Sequence, residues 1–144
     1  MEHMDTVKLL KKCDAGTKMA VSSIDEVLES VKDSELKQLL QESKDHHEKL
    51  ENDICALLKE HSAAEKDPSP IAKGMSWMKT NMKMSMDNSD FTVADLITDG
   101  CNMGVKTLNR YLNQYKAADD KSKAICGKLI SIEEELCKEL REYL

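Results

Sequence analysis

Both prolines of this chain, Pro68 and Pro70, stand two residues apart near its middle, and only five glycines are spread over the 144 residues. A chain with so few turn formers has few places to reverse, so its order must come from long helices. The residues between the breaks suit that reading, because Ala, Glu, Lys, Leu, Met and Gln lose little rotamer freedom in a helix. One Phe, three Tyr and one Trp are too few for an aromatic core, which leaves aliphatics and nine Met to fill it. A length of this order fits one domain, burying roughly two-thirds of the surface that the unfolded chain exposes.

Apolar residues recur at alternating gaps of three and four, the spacing of one helix face. In the first segment Val7, Leu10, Thr17, Val21, Ile24, Leu28 and Val31 share a seam in which Asp14 takes one place. The second carries Leu36, Leu40, Ser43, His47, Leu50, Ile54, Leu57 and His61. Between them Asp33 or Ser34 can cap the second helix, so the two form an antiparallel hairpin. The third seam is Val93, Ile97, Cys101, Gly104, Leu108, Tyr111 and Tyr115, and the fourth Ile125, Leu129, Ile132, Leu136, Leu140 and Tyr143. Helices are therefore predicted over about 5–31, 34–64, 91–117 and 121–143. The prolines end the second, because each lacks a donor and drives the residue before it out of helical geometry.

Residues 65–90 form a separate crossover segment in which Ile71, Met75, Met78, Met82 and Met86 make one helical stripe. A helix of about 25 residues spans roughly 38 Å at 1.5 Å per residue. The stretch from Ser62 to Asp90 is long enough to return along such a length, so the second and third helices are expected to run parallel. The fold class is all-α: a four-helix bundle with a long, partly helical crossover between helices two and three.

In this organisation, in the Phe91 to Gly100 segment and in the Ile132-Glu-Glu-Glu-Leu136 pattern, the chain resembles small bacterial members of the ferritin-like superfamily. That resemblance implies a di-iron or di-manganese site built from Glu residues and Glu-x-x-His pairs, whose i, i+3 spacing lets both side chains grip one metal. The residues three before His46, His47 and His61 are Ser43, Lys44 and Leu58, and none of them is a Glu. The family's metal ligands cannot be placed on this sequence, and no metal or cofactor is expected. His47 and Glu51 make a His-x-x-x-Glu pair similar to that of haemerythrin-type bundles, but the further histidines of such a site are missing.

His47 interrupts a leucine-rich seam, and Asp14, Thr17, Ser43, His47 and Glu51 are expected to form a polar layer inside the bundle. Such a layer fixes register when its members satisfy one another's hydrogen bonds. No catalytic residues can be assigned: there is no Gly-rich phosphate loop or nucleophile elbow, and Cys13 near His47 lacks a third group to activate it. The five cysteines are scattered without a C-x-x-C pair and read as reduced, small apolar side chains. Copper binding by Met75, Met78, Met82, Met84 and Met86 is outweighed by core packing.

The formal net charge of -6, with both signs interspersed, excludes a broad nucleic-acid face. No apolar run approaches the ~20 residues of a membrane span, and His3, Asp5 and Lys8 break the N-terminal apolar residues, so a cytoplasmic location is expected. Trp77 and Met84 lie opposite the methionine stripe, which makes them the candidate interface for a homodimer or another protein partner. The expected function is non-enzymatic association. The alternative is a metal- or redox-linked ferritin-like protein using a degenerate site near His47.

Overall fold

A computed structural model describes residues 1–61 and 88–144, which form four long α-helices and no strand among the described residues. These are α1 (Glu2–Leu28), α2 (Ser34–Glu60), α3 (Asp90–Gln114) and α4 (Asp120–Leu140), with a 3-10 turn over Arg141–Tyr143 closing the chain. The candidate interface, Trp77 and Met84, and all but the last residues of the 65–90 crossover lie outside the described residues.

Three of the four helices, α2, α3 and α4, begin where a short oxygen-bearing side chain takes up the first free N–H groups. Asp33 Oδ1 accepts from the N–H of Glu35 at 2.8 Å and of Leu36 at 3.0 Å, Ser89 Oγ accepts from Thr92 at 3.2 Å, and Asp119 Oδ1 accepts from Ser122 at 2.8 Å. Substituting such a cap by Ala costs about 1 kcal/mol. α1 stops at Leu28 and not at Val31, because the N–H groups of Ser30 and Val31 reach back only three residues, to Val27 and Leu28, and tighten the turn. Val31 is still buried, held under that turn.

α1 and α2 run antiparallel, with Lys44 Nζ 2.7 Å from Asp25 and Lys18 Nζ 4.0 Å from Glu51 marking one register. α3 and α4 also run antiparallel. Contacts at the two ends of the bundle then fix the direction of one hairpin against the other. At one end, Asp5 Oδ2 accepts from the Ala117 N–H at 3.0 Å, Thr6 Oγ1 accepts from Asp119 at 2.8 Å, and His61 Nε2 lies 3.6 Å from Asp119. At the other, the Asp90 carboxylate accepts from the N–H groups of Lys32 (2.8 Å) and Asp33 (3.0 Å). α2 thus ends where α3 ends, and starts where α3 starts, so the two are parallel. α4 packs on α2 and α3, and α1 packs on the other three helices.

Two apolar clusters fill the interior. One gathers Leu9, Leu10, Cys13, Leu50, Ile54, Leu58, Leu108, Cys126, Leu129 and Ile130 towards the Asp119 end. The other gathers Ala20, Ile24, Val27, Leu36, Leu40, Val93, Ile97, Cys101, Leu136 and Leu140 towards the Asp90 end. Full burial of one such Leu or Ile stabilises by about 1.5–3 kcal/mol. Two seams are rotated from expectation. In α1 the fully buried residues are Thr6, Leu9, Leu10, Cys13, Thr17, Ala20, Ser23, Ile24 and Val27, while Val7, Val21 and Leu28 sit at its edges. In α4, Ile132 is half-buried and Cys126 and Glu133 point inward. Both helices pack against several partners, so their buried faces are wider than a two-helix seam.

Candidate functional site

The two apolar clusters are separated on every helix by a polar residue or a gap. On α1 Thr17 falls between Cys13 and Ala20, and on α2 Ser43 and His47 fall between Leu40 and Leu50. On α3 Gly104 falls between Cys101 and Leu108, and on α4 Glu133 falls between Ile130 and Leu136. This is one polar layer across the middle of the bundle, and nothing in it reaches solvent freely: Thr17 and His47 are fully buried and Glu133 is 2% exposed.

The layer is incompletely satisfied. His47 Nδ1 lies 2.8 Å from the Ser43 carbonyl, and because a carbonyl can only accept, Nδ1 carries the hydrogen and Nε2 presents a lone pair. Nε2, Ser43 Oγ and Glu133 Oε2 have no hydrogen-bond partner among the described residues. Burial holds His47 below the usual imidazole range, despite its bond to Ser43, so it is neutral near pH 7. Burial also pushes the Glu133 carboxyl up to about 8, with the charges of Cys137 and Cys126 adding to the rise. Room for that carboxyl comes from Gly104: a Cβ there would stand 2.6 Å from Glu133 Oε2 and 2.7 Å from Oε1. Only glycine leaves the space.

Four of the five thiols surround this layer as two cross-helix pairs, both anchored on α4. One turn beyond Glu133, Cys137 Sγ stands 3.7 Å from the Thr98 carbonyl and 3.4 Å from Asn102 Oδ1, which places it over the stretch of α3 that carries Cys101. Two turns before Glu133, Cys126 Sγ stands 3.8 Å from the Leu108 carbonyl and bonds to Cys13 of α1. All are reduced. The pairs differ in access, since Cys13, Cys126 and Cys101 are fully buried while Cys137 is partly exposed.

Within each pair one thiol donates and the other accepts. The Cys101 hydrogen bond, together with the charge of Arg141, brings Cys137 down to about 7 against the opposing effects of burial, Asp99 and Glu134. Cys101 itself is driven far above the ordinary thiol range by its bond to Cys137 and by burial. The same pattern holds at the other end, where Cys126 is lowered by Cys13 and Cys13 is raised. A thiolate is the reactive form of cysteine, and among the four paired thiols only Cys137 combines a lowered range with access to solvent.

Of the five residues expected in the layer, Asp14, Thr17, Ser43 and His47 are all buried and Glu51 is half-buried. Asp14 and Glu51 are gathered by Lys18, whose Nζ is 3.0 Å from Asp14 Oδ2 and 4.0 Å from Glu51 Oε1, with Cys55 Sγ 3.8 Å from Asp14 Oδ1. Thr17 Oγ1 donates to the Asp14 carbonyl at 2.8 Å and so is satisfied within its own helix. Sequence reasoning missed Glu133, although Ser122, Cys126, Leu129, Glu133, Leu136 and Leu140 keep gaps of 4, 3, 4, 3 and 4, the signal that would have found it.

Among the described residues, no group of three or more His, Cys, Asp and Glu side chains is arranged to hold a metal ion. None of the described helices is long and apolar enough to cross a membrane. No protein-family model matches the chain, and no curated protein or solved structure is significantly similar to it.

Proposed function

We propose that this chain is a redox-linked helical bundle of ferritin-like architecture, whose working groups are the cross-helix thiols beside the Glu133 layer. The observation that carries the reading is the Cys101 and Cys137 pair: a partly exposed sulfur lies over the helix segment that holds a buried one. Oxidation of such a pair removes two protons and two electrons, joins the sulfurs and ties α3 to α4. Two antiparallel hairpins with α2 and α3 parallel support the ferritin-like topology. This reading places the redox groups at the thiols beside Glu133 and not at His47, where the sequence suggested a degenerate site.

Glu133 has a defined place in this chemistry. Below about pH 8 its carboxyl is protonated, so it puts no negative charge beside a Cys137 thiolate formed near pH 7. An ionised carboxylate at the same place would oppose that thiolate.

Equilibration of the reduced protein with mixtures of dithiothreitol and its cyclic disulfide, followed by thiol counting and peptide mapping, tests the reading. Two thiols, Cys101 and Cys137, should disappear together at one midpoint with helical content retained. Retention of all five thiols across the series, or pairing only after the helices unfold, would refute it.

A further inference from the structure

We infer that Cys137 is the entry thiol of this site and that the oxidant it meets is a small, uncharged hydroperoxide, with Cys101 resolving the product. The inference rests on the redox reading above and adds the direction of attack and the class of oxidant. Of the paired sulfurs, three are fully buried and one is partly exposed, so an external oxidant can reach only Cys137.

The surroundings of Cys137 select against a large anionic oxidant. Arg141 bears on the sulfur with positive charge, and Asp99 on α3 and Glu134 on α4 oppose it with two negative charges. The site lies on a chain whose formal net charge is -6. An oxidised anionic peptide disulfide is repelled by this field and must also fit its bulk between α3 and α4. A hydroperoxide carries no charge and is scarcely larger than water. The approach is narrow, because the Thr98 carbonyl at 3.7 Å and Asn102 Oδ1 at 3.4 Å cover two sides of the sulfur.

The chemistry balances in two steps. The Cys137 thiolate attacks one oxygen of the hydroperoxide, the O–O bond breaks, and the departing alkoxide or hydroxide takes a proton from solvent, leaving a sulfenic acid on Cys137. The Cys101 sulfur then attacks the sulfenic sulfur, an S–S bond forms, and the released oxygen leaves as water with the Cys101 proton. In total, two thiols and one hydrogen peroxide give one disulfide and two waters. The exposed Asn102 amide can turn its Nδ2–H towards the sulfur while that sulfur is charged, since its two ends are nearly alike in shape.

The test treats the reduced full-length protein with equal concentrations of hydrogen peroxide or oxidised glutathione at neutral pH, followed by intact-mass and peptide analysis. Peroxide should remove two hydrogens and link Cys101 to Cys137 at least about tenfold faster than the peptide disulfide does. Cys101→Ser should stall at a sulfenic acid on Cys137 that a cyclic 1,3-diketone captures, and Cys137→Ser should oxidise at least about tenfold more slowly, with wild-type helicity in both. Faster linkage by the peptide disulfide would overturn the choice of oxidant while leaving the redox reading standing. Unchanged oxidation of Cys137→Ser would overturn Cys137 as the entry point. Failure of both oxidants to link Cys101 to Cys137 would remove the inference and the redox reading together.

Discussion

The two thiol pairs are built alike and placed differently. Cys13 with Cys126, and Cys101 with Cys137, each join α4 to a neighbouring helix, and in each pair one sulfur donates to the other. Cys126 faces the Asp119-end cluster and is sealed by Leu129, Ile130 and Leu108, whereas Cys137 stands at the margin of the Asp90-end cluster. Solvent access, and not the pairing, separates a packing pair from a reactive one. The Glu133 layer between them is where that difference can be perturbed from either side.

The largest effect is expected from Glu133 itself. Its carboxyl is raised from 4.5 to about 8 in the folded chain, so the unfolded chain ionises first. The sign follows: its contribution to stability is complete below pH 4.5 and is lost progressively as pH rises to about 8. At about 1.4 kcal/mol per pH unit, the loss amounts to several kcal/mol in wild type and vanishes in Glu133→Gln. Denaturant titration of both proteins between pH 5 and about 8 measures it. Parallel slopes would show that the carboxyl is not held in the core.

Gly104→Ala comes next. The added methyl would stand 2.6 Å from Glu133 Oε2, and forcing a group into a packed core costs about 1–3 kcal/mol. The cost should shrink in a Glu133→Ala background, where the cavity accepts the methyl. Equal penalties in both backgrounds would mean that Gly104 and Glu133 are not coupled.

Much of this layer was legible before the structure. His47 interrupts a leucine-rich seam, and Thr17 and Ser43 are polar members of the first two seams. Asp14 is buried as expected, and Lys18 reaches from the helix edge to pair with it and to approach the half-buried Glu51. Glu133 was hidden in the sequence. Three glutamates in a row read as a solvated face, and the half-buried Ile132 beside them captured the seam. Gly104 is a seam position without a side chain, and what fills its space is the Glu133 carboxyl group. The thiol pairs could not be read at all, since they join residues far apart in sequence without a C-x-x-C spacing, and only the packing of α4 against α1 and α3 brings them together.

Serine substitution sharpens the contrast between the pairs. Cys13→Ser places a hydroxyl in a fully buried site and should cost about 1–3 kcal/mol, while Cys137→Ser at the margin should stay within about 0.5 kcal/mol. Thermal unfolding compares them, and equal costs would erase the distinction drawn here.

The smallest effect is expected at His47. His47→Leu removes the buried lone pair on Nε2 and should change stability by less than about 1 kcal/mol at pH 7. Because the folded imidazole is lowered from 6.5, wild type loses stability as pH falls through and below 6.5, and the variant should lose less. A larger loss at neutral pH would mean that Nε2 has a partner in the folded chain.

The proposed redox chemistry needs one sulfur that is both accessible and ionised near neutrality. Pulsed alkylation of the native reduced protein across a pH series, with each cysteine quantified by mass spectrometry, measures this directly. Cys137 should label first, with a rate that rises to half its plateau at about pH 7, while Cys13, Cys101 and Cys126 stay protected until the bundle unfolds. Labelling of Cys137 no faster than the three buried thiols, or only with the ordinary thiol midpoint near ~8.5, would contradict the account.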